Sequence, residues 1–286
     1  MPISFPFEGL LRKSLNDGVP KLSQMDQTQQ HEWLMRTLSL QTPPVAVKYL
    51  REWSEDEEWD LADKGYYRPK APLNVCQFVG QARHHLRKVV ATAEDQVCII
   101  GALVTGAHPY DDSMEHGEIA KKDGVRKTPE LCEAMFQMLP RLPFGEVKAI
   151  AFAPLDKMEM TPDQVLVYGN PLQVLKLVQG YVYAEEPRFP ITTCAKYGVC
   201  VEGMVQAYVT GKPAVSFPCR GERVSSIVQD QELSITIPYA LLGDVIEGFE
   251  KTKHLLPTPI PFGGVDQEPN FLPDYYLTPQ AKKRRA

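Results

Sequence analysis

A chain of 286 residues, 43% hydrophobic and 23% charged, has the composition of a globular protein able to bury a sizeable core. Its net charge of -5 excludes a general pull toward nucleic acid or anionic membranes, and no apolar run approaches the roughly 18 residues that span a bilayer. The opening MPISFPFEGL lacks the basic and apolar regions of a secretory signal. A cytoplasmic location is therefore expected, with the six cysteines (76, 98, 132, 194, 200 and 219) reduced or ligating metal.

In chain order, residues 1–44 read as an N-terminal helical segment, with Met25 to Leu40 as its best-marked helix and Pro43-Pro44 as its stop. Val45 to Leu50 reads as a strand, and the acidic Ser54 to Tyr67 as a surface loop or short helix. Asn74 caps a predicted helix carrying Cys76, Phe78, Val79, Ala82 and Leu86, and KVVAT follows as a short strand. Cys98 falls in the first turn of an apolar helix ending near Gly106, and Tyr110 to Lys127 reads as an exposed loop. Thr128-Pro129-Glu130 opens a helix running to Pro140, with Cys132 among its apolar neighbours.

Two strands follow, Glu146 to Leu155 and Gln164 to Gly169, and Asn170-Pro171 then starts another helix. ELSITIP, Glu232 to Pro238, alternates as a strand, and Tyr239 to Leu255 is an amphipathic helix. The proline-rich stretch 256–286 reads as an extended arm suited to homo-oligomer contacts, ending in a solvated basic tail, Lys282 to Arg285. The mixed order predicts an α/β or α+β fold, with mixed sheets and flanking helices. The phosphate-binding glycine loops, HExxH and GxSxG are absent.

One pattern occurs twice. Cys76 opens a helix, a strand begins at Lys88, and Cys98 follows; Cys200 opens a helix, a strand follows Lys212, and Cys219 comes after it. The spacings are Cys-x21-Cys and Cys-x18-Cys. A core of 45–255 built from two pseudo-equivalent halves, about 45–140 and 141–255, would bring four sulfurs to one place. Each cysteine could instead be a small buried hydrophobe, as Cys132 is read; Cys194 in TTCAKYGVC is a spare ligand candidate.

The blocks PPVAVKYL, VCQFVGQAR, EDQVCIIGALVTG, VCVEGMVQAYVTGKPAVSFPCRGER and ELSITIPYALLGDVIEGFE, in this order from about Val45 to Lys253, resemble the domain-of-unknown-function 169 (ArCR-like) family. The resemblance implies a single-domain protein of a mostly prokaryotic group common in anaerobes. It also picks out Cys76, Cys98, Cys200 and Cys219 as the cysteines of the family motif. Ile99-Ile100 departs from the proline and glycine that often follow the second of these cysteines.

Four thiolates with no close CxxC pair favour a [4Fe–4S] cluster over structural zinc, whose sites are usually pre-formed by short knuckles. Arg223 and Arg220 beside Cys219, with Arg83 and Lys88 near Cys76, could supply counter-charge, and Arg220 could also clamp an anionic substrate. His84 and His108 are the acid–base candidates, and Glu202, beside Cys200, is a general base or a favourable N-terminal charge. The leading expectation is an iron–sulfur redox enzyme acting on a small anionic or aromatic substrate, served by an electron-donor protein. The alternatives are a metal-free cysteine nucleophile and a non-enzymatic electron-transfer or redox-sensing module.

Overall fold

The computed structural model describes residues 25–256 and 274–285. The chain divides into two compact units, Met1–Lys253 and His254–Ala286. In the first unit the order is α1 (Gln27–Leu38), β1 (Val45–Leu50), α2 (Glu55–Asp63), β2 (Tyr66–Tyr67), α3 (Val75–His85), β3 (Lys88–Thr92), α4 (Ile99–Val104), α5 (Asp112–Glu115), α6 (Glu118–Lys122) and α7 (Pro129–Gln137). There follow β4 (Ala149–Pro154), β5 (Gln164–Gly169), α8 (Pro171–Ala184), a π-helix (Val199–Val205) running into α9 (Gln206–Thr210), β6 (Ala214–Ser216), α10 (Arg220–Ser225), β7 (Leu233–Pro238) and α11 (Tyr239–Thr252). The described part of the second unit carries a single turn at Asp274–Tyr276 and α12 (Pro279–Arg285).

The seven strands among the described residues form one mixed sheet in the order β2-β3-β4-β1-β5-β7-β6, antiparallel except for β2 beside β3. β1 lies centrally, Val45 opposite Pro154 on one side and Leu166 on the other. Both faces are covered, so β4 and β5 are buried along their whole length rather than alternating. The strand pleat sends Val45, Val47, Ile150, Phe152 and Leu166 to one face, against α3, α4, α7 and the π-helix. Ala46, Ala151, Ala153, Val165 and Val167 go to the other, against α1, α8 and α11. Phe78 of α3 stacks on Phe152 at 5.8 Å between ring centroids, both fully buried. Each such side chain contributes about 1.5–3 kcal/mol through burial alone.

The α/β expectation holds. Both expected halves, about 45–140 and 141–255, contribute strands to the same sheet. The segment read as an exposed loop, Tyr110 to Lys127, contains α5 and α6: Asp111 caps α5 through Met114 N (3.0 Å), and Met114 and Ala120 are buried. Each helix offers one buried anchor, too little for a periodic signal. Leu86, expected on the buried face of α3, is instead its left-handed C-terminal residue (φ 54°) and half exposed. The basic tail is helical as far as Arg285. Residues 1–24 of the expected N-terminal segment and 257–273 of the expected arm lie outside the described residues.

Candidate functional site

The four cysteines of the repeated pattern each stand at or next to a helix start on the same face of the sheet. Asn74 and Gln77 begin α3 reciprocally, the Asn74 amide donating to Gln77 Oε1 at 2.9 Å, and Cys76 occupies its second position. Cys98 is the residue preceding α4, and Cys219 the one preceding α10. Cys200 is the second residue of the π-helix. That helix is held open from below: buried Gln164 accepts from Tyr49 Oη at 3.2 Å and donates Nε2 to Met204 O at 2.8 Å, occupying a carbonyl of the widened turn.

These placements bring the thiols within electrostatic range of one another. Burial pushes the Cys76 thiol up to about 12, and Cys219, Glu222 and Cys98 push the same way, against a lowering from the Ser226 hydroxyl. Burial likewise lifts Cys200 well above the ordinary thiol value, followed in weight by Cys219, Cys98 and Cys76. Cys219 is raised by burial and by Glu222, while backbone N–H groups of Glu222 and Gly221 oppose the shift. At Cys76, Cys200 and Cys219 desolvation thus overrules the pull of a helix N-terminus toward the thiolate.

The space between Cys76 and Cys219 is kept free by Gly221. A Cβ there would stand 3.5 Å from Cys76 Sγ and 3.6 Å from Cys219 Sγ, so the missing methyl leaves an opening walled by two sulfurs. Among the described residues no three of His, Cys, Asp and Glu converge on a point that would suit a single metal ion.

Beside Cys219 lies a buried carboxylate, Glu222. Glu222 is fully buried. Its Oε2 accepts from Val199 N (2.9 Å) and Cys219 N (3.0 Å), and its Oε1 from Tyr168 Oη (2.9 Å). Burial raises its pKa against these three donors. Gly198 is obligatory beside it, since a Cβ would meet Glu222 Oε2 at 1.7 Å. The spacing Cys219-x-x-Glu222 is the capping-box signature with a thiol in the hydroxyl's place, and it is the signal that could have revealed both α10 and the role of Glu222.

The cations expected as counter-charge are mostly committed elsewhere. Arg83 is buried with Glu232 (2.6 Å) and lies 3.8 Å over the Tyr168 ring; Lys88 pairs with Glu159 at 2.8 Å. Arg223 pairs with Asp230 and donates Nε to Pro218 O at 3.3 Å. Arg220 is exposed. His108 bonds its neighbour's carbonyl, Nδ1 to Pro109 O at 2.8 Å. His84 is half-buried, its pKa lowered by burial and by Arg83, with Nε2 enclosed and unpartnered. Glu202 faces away toward Cys194, whose amide donates to its Oε1 at 2.7 Å. Cys132 is a core residue of α7, as expected.

A family model matches residues 33–248, a span that includes all four cysteines and Glu222. The chain belongs to the DUF169 family. Members of DUF169 are described as uncharacterised ArCR proteins. One relative, an uncharacterized protein of Methanocaldococcus jannaschii, is 27% identical over 218 residues, covering 76% of this chain and 91% of its own length. No solved structure matches the chain. For this DUF169 member the fold and the thiol constellation therefore rest on the geometry described above. No helix among the described residues is long and apolar enough to cross a membrane.

Proposed function

We propose that this chain is a cytoplasmic iron–sulfur redox enzyme whose [4Fe–4S] cluster is held by Cys76, Cys98, Cys200 and Cys219. The observation that carries the reading is that these four thiols, distant in sequence, lie within electrostatic range of one another, with Gly221 leaving an opening between Cys76 and Cys219. Such a cluster supplies one-electron transfer, or a Lewis-acidic iron if only three of the four cysteines ligate.

The protein's own contribution is to hold the ligands still. Glu222 ties the start of the π-helix, through Val199, to the start of α10, through Cys219, fixing two ligands relative to each other. Backbone N–H groups of Gly221 and Glu222 point at Cys219, a donor pattern that stabilises a thiolate and tunes the potential of the group it ligates. A metal-free nucleophile is the weaker reading, because burial raises these thiols where a nucleophile needs a depressed pKa. A redox role requires an electron-donor protein, and residues 256–286 are the segment we assign to homo-oligomer contacts.

Anaerobic purification of the full chain tests the proposal. The expected result is a brown protein with about four irons and four sulfides per chain and broad absorption near 400 nm. Single Cys→Ser changes at 76, 98, 200 and 219 should each lower iron content, while Cys132→Ser should not. A colourless, iron-free protein from that preparation, or full iron in all four variants, would sink the cluster.

A further inference from the structure

On the side of the π-helix toward which Glu202 points, a cavity of about 330 Å³ opens between α7 and the segment preceding the π-helix. Its volume falls at the small end of ligand pockets. Leu131, Met135 and Met138 give it an apolar wall, and Arg126, Cys194 and Glu202 supply its polar end.

Two opposite charges face this space without neutralising each other. Arg126 has no carboxylate within ion-pair distance among the described residues; its Nη1 donates to Val125 O at 2.9 Å and its Nη2 to Cys194 O. Two of the five guanidinium N–H groups are thus used to fix its plane, leaving three to donate. Glu202 is buried; its Oε1 accepts the Cys194 amide at 2.7 Å, and the Cys194 thiol also hydrogen-bonds to this carboxylate. The Cys194 main chain therefore holds both ends of the charge pattern, its carbonyl gripping the arginine and its amide the glutamate. A half-buried guanidinium clamped in this way is pre-organised for a bidentate carboxylate.

We propose that the cavity binds a small carboxylic acid with an apolar body, its carboxylate on Arg126 and a hydroxyl donor on Glu202. The sulfur site is close. Tyr197, whose hydroxyl is buried without a partner, lies within electrostatic range of Cys194 on the cavity side and of Cys98 and Cys200 on the other. That the acid is the substrate of the cluster rests on the proposed function; that it binds does not, since none of the four ligand cysteines lines the cavity.

Calorimetric titration of the full chain, anaerobic as purified and again metal-free, tests the proposal with benzoate, 4-hydroxybenzoate, benzamide and phenol. Expected are millimolar or tighter binding of both acids, tightest for 4-hydroxybenzoate, and at least tenfold weaker binding of benzamide and phenol. Arg126→Gln should weaken the acids at least tenfold with iron content unchanged. Ala134→Phe, on the exposed surface of α7 at the cavity wall, should weaken all four probes and controls for an Arg126 variant that fails to fold. Binding lost only in the metal-free protein would place the ligand on the cluster and overturn the cavity assignment. So would equal binding of benzoate and benzamide, no binding of either acid, or wild-type affinity in both variants. Iron content is read separately, so a failed cluster and a failed cavity give different results.

Discussion

Glu222 accepts the Val199 amide at 2.9 Å across 23 residues of sequence, and that bond joins the helix starts bearing Cys200 and Cys219. The same carboxylate oxygen takes the Cys219 amide, and the other takes the Tyr168 hydroxyl. Glu222→Ala would strand three donors, two of them buried, so a loss of about 3 kcal/mol is expected in urea unfolding. Glu222→Gln keeps an acceptor and the volume and should lose less. If Glu222→Ala unfolds at the wild-type urea midpoint, the carboxylate does not hold the two segments together.

Gly221→Ala separates the stability of the protein from the capacity of its site. The new Cβ would sit at ordinary contact distance from both sulfurs, and alanine is the better helix former by about 1 kcal/mol. The metal-free variant should therefore be as stable as wild type or slightly more so. A methyl between Cys76 and Cys219 occupies the opening, so iron loading should fall severalfold. Wild-type iron content together with unchanged stability would show that nothing needs that space.

The sheet and its main helices were legible because their signals are local. Val45–Leu50, Gln164–Gly169 and the helix from Asn170 carry strand composition or a cap with proline. The repeated order of helix, strand and thiol singled out Cys76, Cys98, Cys200 and Cys219, which lie within electrostatic range of one another. Glu222 was hidden because an acidic residue between two arginines looks solvated, and its two tertiary donors, Val199 and Tyr168, make it a buried anchor. The arginines misled for the matching reason: proximity in sequence to Cys219 says nothing of Asp230, which takes Arg223. The Arg126–Glu202 cavity had no local signature, since its walls come from segments more than fifty residues apart.

The buried thiols give the metal-free protein a defined alkaline weakness. An unfolded cysteine loses its proton near pH 8.5, whereas the Cys76 thiol holds its own up to about 12. Above the unfolded value the native state binds more protons than the unfolded one, so stability is full below about pH 8.5 and falls as pH rises. Buried tyrosines such as Tyr66, also raised to about 12, add to the slope only above about pH 10. The window between about 8.5 and 10 therefore belongs to the thiols. Cys76→Ser should flatten it, and so should loading, because ligating thiols have already lost their protons. Equal slopes in the wild-type and variant metal-free proteins would remove Cys76 from this account.

Arg83 offers the last test, because it is a buried cation beside the site but not part of its proposed ligand set. Its Nη2 meets Glu232 at 2.6 Å, its Nε donates to Thr42 at 3.0 Å, and its guanidinium covers the Tyr168 ring at 3.8 Å. Arg83→Met keeps the stem but leaves the Glu232 carboxylate buried without its counter-ion, a loss on the order of 3–5 kcal/mol. Arg83→Met combined with Glu232→Leu should recover part of that loss, since the uncompensated charge is then gone. Shielded from solvent, the pair should respond little to salt, so the wild-type urea midpoint should move no more than the double variant's between low and high ionic strength. A double variant no more stable than Arg83→Met would mean that the guanidinium acts through Tyr168 and Thr42 rather than through Glu232.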